Sequence, residues 1–519
     1  MATVNVTLSP LAQFLANPTN WAQNTTFSTL ITILSTIVVS FVLLRPRDTE
    51  KVYYLGGVPI ITAWPFFTKR YDFMRERFKE SGGKMFRFNI LNHQVTAMSG
   101  EKLRKVFFNE AGFNMTEGYR ILMGGAPEIE DVQIQTGAEG REVRNEVDEG
   151  FIKRVLTLMR RDRISDTLPT LLSDLDIRLK ELSDGERINP FRDVYDLIFQ
   201  MTVRMATCQE LADDRQAINT ITKNYWAIEK SATPMSLLLP WLPSAAKRTK
   251  EKATTDLYNT ILKYVQLRRD SASGSDSTEP IDLLIAQGHS DPSIIATIMG
   301  IIFAGVINTG MTSCWLLLYL GASPDWKENA IKEFKSLLEK YSSADSSEPL
   351  HKRLSVIPME AWEDELPTAD ILIRETLRLT LSGTAIRRNL GPDIKADDVT
   401  IKHGEFLTYQ IADAHFNESI YSDPMKFDPA RYLEGREEDR KETFAYLGWG
   451  VGRHPCAGMK IAKLEIKLIL ALFLLQFDYK LVDKSGKAPK SLPVQDRNDI
   501  QQARPLGEPC YLEIHHVKA

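Results

Sequence analysis

The spacing of apolar residues along the chain is helical over most of its length. Between about Phe151 and Tyr341, apolar positions recur every three or four residues, which is typical of packed helices. Two Ser-rich stretches, Ser271–Pro280 and Ser342–Pro349, interrupt this pattern and predict loops. Strands are expected over Met85–Ile90 and Gln94–Met98, which form a hairpin, near Lys395–Gln410 and over Tyr511–His516. The pattern as a whole predicts a mainly α fold with small β-sheets.

One stretch, Pro292–Leu320, is free of charged side chains and is long enough to cross either a membrane or a protein core. Small and polar residues cluster in its middle: Gly305, Asn308, Thr309, Gly310, Thr312 and Ser313. Such residues are unfavourable against lipid, but they suit a helix that passes a bound cofactor. We therefore predict a long buried helix rather than a membrane span at this position.

The N-terminal region has the composition of a membrane anchor. Twelve of the eighteen residues in Phe27–Leu44 are Phe, Leu, Ile or Val, which is just long enough to span a bilayer. No charged residue precedes Arg45, and Arg47 and Lys51 follow closely, so the positive-inside rule assigns that side to the cytosol. A cleaved signal peptide is the alternative, although the usual basic start is missing.

These signals divide the chain into three parts. We expect residues 1–26 to be luminal, residues 27–44 to form a single transmembrane anchor, and residues 45–519 to form a cytosolic catalytic domain at the endoplasmic reticulum membrane. Sequons at Asn5 and Asn24 would face the lumen, where they are candidate glycosylation sites.

The overall composition excludes several classes of protein. The 519 residues are 43% hydrophobic and 25% charged, with a net charge of −4, which is ordinary for a globular enzyme and gives no sign of nucleic-acid binding. The four cysteines are widely spread and form no Cys-x-x-Cys pair. The chain therefore lacks the pattern of a disulfide framework or a structural zinc site, and a reducing compartment fits it best.

Cys456 differs from the other cysteines because of the run around it, Tyr446-Leu-Gly-Trp-Gly-Val-Gly-Arg-His-Pro-Cys456-Ala-Gly458. Glycines let the backbone take positive φ values and pass close to a flat ligand. A helical pattern begins directly afterwards, and we expect its N-terminus to favour the thiolate form of the cysteine. A single thiolate on such a loop suits an iron porphyrin. The alternative is a buried, inert cysteine beside a turn.

Three further segments carry residues with the chemistry that such a site needs. Glu375 and Arg378 share a helix face, although a pair of this kind on the surface would contribute little. Two prolines precede Arg431, and a buried arginine needs a carboxylate such as Glu375. Asn308 and Thr309 bring an amide and a hydroxyl together on the long helix, where Thr309 could instead bond to its own helix backbone.

Taken together, these segments resemble a membrane-anchored cytochrome P450, over nearly the whole chain from Arg45 onward. The resemblance implies the cytochrome P450 fold, preceded by one transmembrane helix, and a haem b cofactor whose iron takes Cys456 as its axial thiolate ligand. In the family, a Glu-x-x-Arg helix and a downstream Arg form a structural triad, which here would be Glu375, Arg378 and Arg431.

The resemblance also implies a catalytic acid–alcohol pair, here Asn308 and Thr309. Thr309 would then handle protons next to the reacting oxygen, and Asn308 would position a water. That water must relay the proton, because an amide has no titratable proton to give.

The departures from the common family pattern indicate which branch of the P450 family the chain resembles. Trp449 and His454 stand where most relatives have Phe and Arg, and Arg453 lies one place earlier than usual. The Gly-Arg-His order resembles sterol demethylases, and the Trp resembles prostacyclin synthases. The run that begins at Asn308 is similar to the sterol 7α- and 12α-hydroxylases. These resemblances imply a bulky, apolar, polycyclic substrate.

Contacts to the haem propionates and to the substrate follow from the same resemblance. The candidates for the propionates are Arg453, His454, Arg387, Arg388 and the pair Lys153–Arg154. The candidates for the substrate are Ala304, Gly305, Val306, Ala385 and Ile386, together with Thr384 and the loop at residues 500–505. Most of these residues are apolar, so binding would be largely hydrophobic.

A P450 of this kind needs an electron donor, which the resemblance identifies as NADPH–cytochrome P450 reductase, with cytochrome b5 left open as a second donor. Lys460, Lys463 and Lys467 recur at helical spacing after Cys456. They form either an ordinary solvated face or a basic stripe that steers an acidic reductase to the site. No nucleic-acid partner is expected.

Three functions remain open from the sequence. The first is an O₂-dependent monooxygenase that oxidises a steroid, a terpenoid or a similar specialised metabolite. The second is a peroxide isomerase or dehydratase like prostacyclin synthase, which needs neither O₂ nor a reductase. The third is a haem-binding or lipid-binding protein without turnover. Thr309 argues against the second function, and the intact triad argues against the third.

Overall fold

The computed structural model describes residues 52–122, 150–239, 242–271, 277–343, 347–499 and 503–517, together with the helical positions Thr32 and Ser35. The expected luminal segment, most of the anchor at residues 27–44, and the sequons at Asn5 and Asn24 lie outside these residues. Those expectations therefore stay predictions.

Helices make up most of the described chain, as the apolar spacing predicted. Three of them matter for the site: the long helix Asp291–Ala322, the Glu375 helix Pro367–Thr380, and the Cys456 helix Met459–Gln476. The other α-helices are Pro59–Thr68, Arg70–Glu80, Glu101–Asn109, Met115–Leu122, Arg161–Leu179, Pro190–Ala206, Gln209–Asp213, Arg215–Lys230, Pro234–Leu238, Ala245–Asp270, Pro280–Ala286, Pro324–Tyr341, Leu350–Ser355, Met359–Asp364 and Ala412–His415. Residues 150–158 are also helical, and short 3₁₀ turns cover Pro429–Tyr432 and Glu438–Arg440.

The strands are short and form small sheets. In chain order, β1 to β13 are Tyr53–Tyr54, Met85–Ile90, His93–Met98, Phe113–Asn114, Arg187–Ile188, Thr384–Asn389, Ile394–Ala396, Val399–Ile401, Phe406–Gln410, Phe477–Val482, Val494–Gln495, Pro505–Leu506 and Tyr511–His516. The largest sheet has the order β1-β2-β3-β9-β6-β4, and a second has the order β10-β13-β5. Antiparallel pairing of β2 with β3 confirms the predicted hairpin.

The long helix runs through the interior of the protein. Ser290 caps its start by accepting a hydrogen bond from the Ser293 amide, and Pro292 occupies the first turn, where no amide partner is needed. Within the described residues it is the one helix whose length and apolar composition would suit a membrane, yet 67% of its most apolar stretch is buried in the protein. This burial agrees with the prediction of a core helix.

The core is arranged around that helix. It packs against Pro190–Ala206, Ala245–Asp270, the Glu375 helix and the Cys456 helix. A separate aromatic cluster lies against the largest sheet, where the rings of Phe66, Phe73, Phe86 and Phe88 meet mostly edge to face. The long helix, the Glu375 helix and the start of the Cys456 helix therefore bring the predicted site residues into one region.

Candidate active site

The loop before Cys456 is folded tightly on itself. Gly450 and Gly452 have φ values of +68° and +64°. A Cβ atom on Gly450 would lie 2.6 Å from the His454 carbonyl oxygen, and one on Gly452 would lie 2.3 Å from the Phe108 carbonyl oxygen. Both positions therefore require glycine. The Cys456 amide donates to the Trp449 carbonyl at 2.7 Å and the Arg453 amide donates to the Phe108 carbonyl at 3.0 Å, which fixes the loop in place.

Cys456 is exposed, whereas Cys208, Cys314 and Cys510 are buried. The helix after it begins at Met459, as predicted. Nevertheless, the surrounding chain withholds enough water to raise the pKa of the Cys456 thiol, and a hydrogen bond from the Gly458 backbone offsets this only in part. The helix N-terminus therefore acts in the expected direction through Gly458, although burial outweighs it in the protein alone, and a bound metal would favour the thiolate further.

Glu375 and Arg378 form a pair in the interior rather than on the surface. Both side chains are 0% exposed, and two parallel hydrogen bonds of 2.8 Å join them. Arg431 Nε reaches the same carboxylate at 3.0 Å and is also fully buried. This arrangement satisfies the requirement that a buried guanidinium meet a carboxylate in good geometry.

A second carboxylate balances the charge of this group. Glu438 accepts a hydrogen bond from Arg431 at 2.6 Å. Burial alone would raise the pKa of Glu438, but hydrogen bonds from Ser422, Arg436 and Arg431 hold it down to about 2. Two carboxylates therefore face the buried guanidinium groups of Arg378 and Arg431. The Glu375 helix is thereby fixed to the segment that leads toward the Cys456 loop.

Strand β6 separates the two candidate arginines, because neighbouring residues on a strand point to opposite faces. Arg388 pairs with Glu117 at 3.2 Å. Arg387 is buried and packs over the rings of Phe107 and Phe108, and its Nε has no hydrogen-bond partner among the described residues. Burial also lowers the pKa of Arg387. A buried cation in this state is the better candidate for binding an anionic group.

His454 and Arg453 lie close to Arg387. Burial lowers the pKa of His454, the positive charges of Arg387 and Arg453 lower it further, and a hydrogen bond with the Phe113 backbone acts in the opposite direction. These three basic groups therefore share one region beside the Cys456 loop. Arg154 is buried against the long helix, where its Nε donates to Thr297 at 2.7 Å.

The middle of the long helix opens on one side. Ala304 and Asn308 are exposed, although the helix around them is mostly buried. They are four residues apart, so they lie on the same face. Thr309 is only 3% exposed, because it lies about 100° further round the helix. Asn308 is thus the more exposed residue of the predicted catalytic pair, and the roles expected for Asn308 and Thr309 stay predictions.

The Thr309 hydroxyl does not bond to its own helix. Neighbouring hydroxyls on the helix do: Thr297 donates to the Ser293 carbonyl at 2.8 Å, Thr312 to the Asn308 carbonyl at 2.7 Å, and Ser313 to the Thr309 carbonyl at 3.0 Å. Within the described chain the Thr309 hydroxyl has no such partner, so the alternative of simple back-bonding does not apply to it.

A family comparison decides what this arrangement is. The model of the cytochrome P450 family matches residues 54–497, which is most of the chain.

The chain belongs to the cytochrome P450 family.

Known P450 enzymes resemble the chain over most of its length. Cytochrome P450 monooxygenase AacuE of Aspergillus aculeatus is 27% identical, covering 89% of this chain and 92% of its own length. Cytochrome P450 monooxygenase nsrP of Aspergillus novofumigatus is 28% identical, covering 92% and 93% respectively. Sterol 14-demethylase of Arabidopsis thaliana is 23% identical, covering 89% and 93%. The predicted enzyme class, a cytochrome P450 monooxygenase, is confirmed.

A solved structure shares the fold. Retinoic acid bound cyanobacterial CYP120A1 superposes with a TM-score of 0.70 over 91% of this chain and 100% of its own chain, at 20% identity. The mainly α P450 fold with small sheets is therefore confirmed for the described part of the chain.

The family implies a haem–thiolate cofactor, and the residues of this P450 fit one. Among the described residues, no cluster of three or more His, Cys, Asp or Glu side chains could hold a bare metal ion. A single exposed cysteine therefore suits a metal that arrives in a macrocycle with its other ligands. The glycine turns leave room for a flat group, and Arg387 offers an unpartnered buried N–H to its carboxylates.

Three of the predicted substrate contacts, Val306, Ala385 and Ile386, are buried. Val306 is fully buried, since it lies on a different face of the long helix from Ala304. Ala385 and Ile386 are also buried, on opposite faces of β6 and in two different apolar clusters. Ala304 is exposed and Gly305 is half-buried, and the substrate roles of these residues stay predictions. Most of the predicted loop at residues 500–505 lies outside the described residues.

The predicted basic stripe after Cys456 is wrong as a surface feature. Lys467 is 1% exposed and donates to the Trp362 carbonyl at 2.8 Å. Lys463 is mostly covered and pairs with Asp370 at 2.8 Å. Lys460 is largely exposed, with 70% of its side chain open to solvent. The three lysines do lie on one face of the helix, as their spacing predicted, but part of that face is buried in the core.

Sequence reasoning missed two buried polar residues near the site, His415 and Glu465. Glu465 is the one acid in the Cys456 helix, between Lys463 and Lys467, and a single acid in a mostly apolar helix is a signal that could have found it. His415 has no comparable local signal, because its partners are far away in the sequence.

Proposed function

We propose that this P450 is a haem–thiolate monooxygenase that inserts one oxygen atom of O₂ into a lipophilic, polycyclic substrate such as a steroid, a terpenoid or a similar specialised metabolite, with electrons from NADPH. The observation that supports it best is the exposed face of Ala304 and Asn308 on a helix that is otherwise buried. That face offers a mostly apolar surface with one amide, on a helix that packs against the helix following Cys456.

The chemistry of relatives supports the substrate class. The sterol 14-demethylase of Arabidopsis thaliana acts, by its name, on a sterol, and CYP120A1 has retinoic acid bound. Both ligands are large and apolar. A substrate of the same character would bind this chain through hydrophobic contacts, and the small residues Ala304 and Gly305 would let it approach the long helix closely.

Asn308 and Thr309 have different roles in the proposed reaction. The haem, when bound, supplies oxygen activation, and the thiolate of Cys456 assists O–O cleavage. The Asn308 amide faces the reaction space and can hold a water by donating from its nitrogen and accepting at its oxygen. The Thr309 hydroxyl, on the adjoining residue and without a hydrogen bond to its own helix, can pass a proton to such a water. The chain thus orients water, while the cofactor carries out the oxidation.

Electron delivery would occur from the side of the Cys456 loop. Arg453 and Lys460 are exposed there and can attract an acidic partner such as NADPH–cytochrome P450 reductase, with cytochrome b5 as a possible second donor. Charge reversal at both residues should weaken the salt dependence of reduction. An unchanged salt dependence would argue for docking elsewhere.

Membrane attachment would hold the enzyme at the endoplasmic reticulum through residues 27–44, with the catalytic domain cytosolic. Exposed apolar side chains at the start of the described chain support contact with lipid nearby: Tyr53, Tyr54, Ile60, Ile61 and Trp64. Release of the full-length protein from microsomes by high salt alone would contradict an anchor.

The decisive experiment is a spectral binding screen of the haem-loaded protein with sterols, terpenoids and indole lipids, followed by turnover with NADPH and reductase. We expect binding of an apolar polycyclic compound and NADPH-dependent product. Product from a lipid peroxide without NADPH would favour an isomerase instead, and binding without any turnover would favour a non-catalytic protein.

Two variants then separate the roles of the catalytic pair. Asn308→Ala should lower the product formed per NADPH by at least about tenfold, because water at the reaction space loses its partner. Thr309→Val, which keeps the side-chain shape, should cause a smaller loss. A larger loss in Thr309→Val than in Asn308→Ala would show that the hydroxyl, and not the amide, is the closer group.

A further inference from the structure

His415 lies between the end of the Glu375 helix and the start of the Cys456 loop. Its side chain is fully buried. Nδ1 is 3.0 Å from the carbonyl oxygen of Leu381, which follows the Glu375 helix. Nε2 accepts a hydrogen bond of 2.8 Å from the amide of Leu447, nine residues before Cys456. One imidazole therefore joins two segments that are far apart in the sequence.

The two partners determine the tautomer of the ring. A carbonyl oxygen can only accept, so Nδ1 must carry the hydrogen that reaches Leu381. A backbone amide can only donate, so Nε2 must offer its lone pair to Leu447. His415 is therefore a neutral imidazole with a fixed proton position. The same burial and the nearby positive charges of Arg378 and Arg104 lower its pKa to about 3.

The hydrogen bond from the Leu447 amide to His415 fixes the start of the Cys456 loop. The Leu447 carbonyl in turn accepts from the Gly450 amide at 3.0 Å, and the next turn brings the Cys456 amide to the Trp449 carbonyl at 2.7 Å. The Tyr446 ring stacks on the His415 ring, with the centroids 5.6 Å apart and the planes tilted by 26°. A chain of hydrogen bonds thus leads from His415 to the thiol-bearing residue.

The same residue is held from the other side by the buried triad. Arg378 donates to the His415 carbonyl at 2.7 Å while its other nitrogens hold Glu375. The position of the imidazole is therefore set by a fully buried ion pair. Any shift of His415 would have to move the triad or release the loop.

We propose that His415 is a positioning residue, which transmits the fixed geometry of the Glu375–Arg378 pair to the Cys456 loop and so holds the thiol in register to ligate the haem iron as a thiolate. The inference rests on the haem–thiolate chemistry of the proposed function and deepens it. It assigns a role in ligation to a residue that does not touch the cofactor.

Two substitutions test this inference because each keeps a different half of the contact. His415→Gln keeps an acceptor near the position of Nε2 and can still bind the Leu447 amide. His415→Asn keeps a donor near the position of Nδ1 and can still reach Leu381, but it leaves the Leu447 amide without an acceptor. His403→Asn, at an exposed histidine on another surface, is the control.

The measurement is the absorbance of the reduced carbonyl complex, which distinguishes thiolate-ligated from thiol-ligated haem, together with haem content and thermal unfolding. We expect His415→Asn to raise the ratio of thiol-ligated to thiolate-ligated haem by roughly tenfold, since a buried amide loses its partner. His415→Gln and His403→Asn should stay near the wild type. Equal spectra for His415→Asn and His415→Gln would overturn the inference.

If His415→Asn binds no haem, hydrogen exchange of the backbone amides still tests the inference. Faster exchange confined to the segment around Leu447 and Cys456 would support a positioning role, whereas unchanged exchange or faster exchange throughout the chain would overturn it. The wild-type spectrum separates the two proposals. If the wild type itself shows no thiolate ligation, the proposed function fails. If it does and His415→Asn matches it, only the inference fails.

Discussion

Replacing Glu465 by glutamine should make the stability of this P450 less dependent on pH. Glu465 lies on the Cys456 helix, is 3% exposed, and accepts a hydrogen bond of 3.4 Å from Thr202 Oγ1. Burial raises the pKa of Glu465 from 4.5 to about 8, which the Thr202 hydrogen bond only partly offsets. At neutral pH the folded protein therefore holds a proton that the unfolded chain releases.

The size of the effect follows from these two pKa values. Unfolding releases a proton between pH 4.5 and about 8, so the free energy of unfolding falls as the pH rises through this window and levels off above it. A full pH unit inside the window changes it by about 1.4 kcal/mol. From about pH 6 to about pH 8, the contribution of Glu465 should fall by roughly 2 kcal/mol. Glutamine cannot titrate, so the variant should lack this contribution.

Urea unfolding of the wild type and Glu465→Gln at both pH values measures the difference directly. Glu434→Gln, which removes a carboxylate at an exposed position, is the matched control and should follow the wild type. Comparing how the free energy of unfolding changes with pH in the two proteins cancels the contribution of all other titrating groups. If wild type and Glu465→Gln lose stability in parallel between the two pH values, the carboxyl does not hold its proton in the folded state, and the reasoning is refuted.

Two further predictions concern the loop and the triad. Gly452→Ala should sharply reduce haem-loaded protein, because the new Cβ would lie 2.3 Å from the Phe108 carbonyl at a φ of +64°. Gly56→Ala, at an exposed glycine outside the loop with nothing within 4 Å of its Cβ, is the control and should be tolerated. Equal haem content in the two variants would contradict this. Glu375→Gln should cost about 3–5 kcal/mol of unfolding free energy, because it removes the negative charge between Arg378 and its neighbouring arginine. A loss below 1 kcal/mol, by the same urea assay, would mean that the buried charges are compensated in another way.

Features set by local sequence were predictable. The helix that carries Glu375 and Arg378 was recognisable from their three-residue spacing, and the glycines around Cys456 marked a loop that has to pass close to other groups. The long helix was recognisable because no charge interrupts it. Each of these signals depends on residues within one or two turns of each other, where chain geometry is the same in any fold.

The features that the sequence left undetermined have a common physical origin. Asn308 and Thr309 are neighbours, and only the rotation of the long helix against its partners determined that Asn308 faces open space. Lys467 shares its helical face with Lys460, yet packing against the segment at Trp362 buries it. In both cases the spacing gave the face of the helix correctly, but the depth of burial depends on elements that are distant in the sequence.

The sequence by itself determined the family, the thiol that the site is built around, and the charged residues of the triad, because these are encoded in short patterns of residue type and spacing. The tertiary structure decided which residues face the reaction space and which support it. It assigned Arg387 rather than Arg388 to the buried basic region, and it brought His415 to Leu447. Such assignments depend on long-range packing, which local periodicity does not contain.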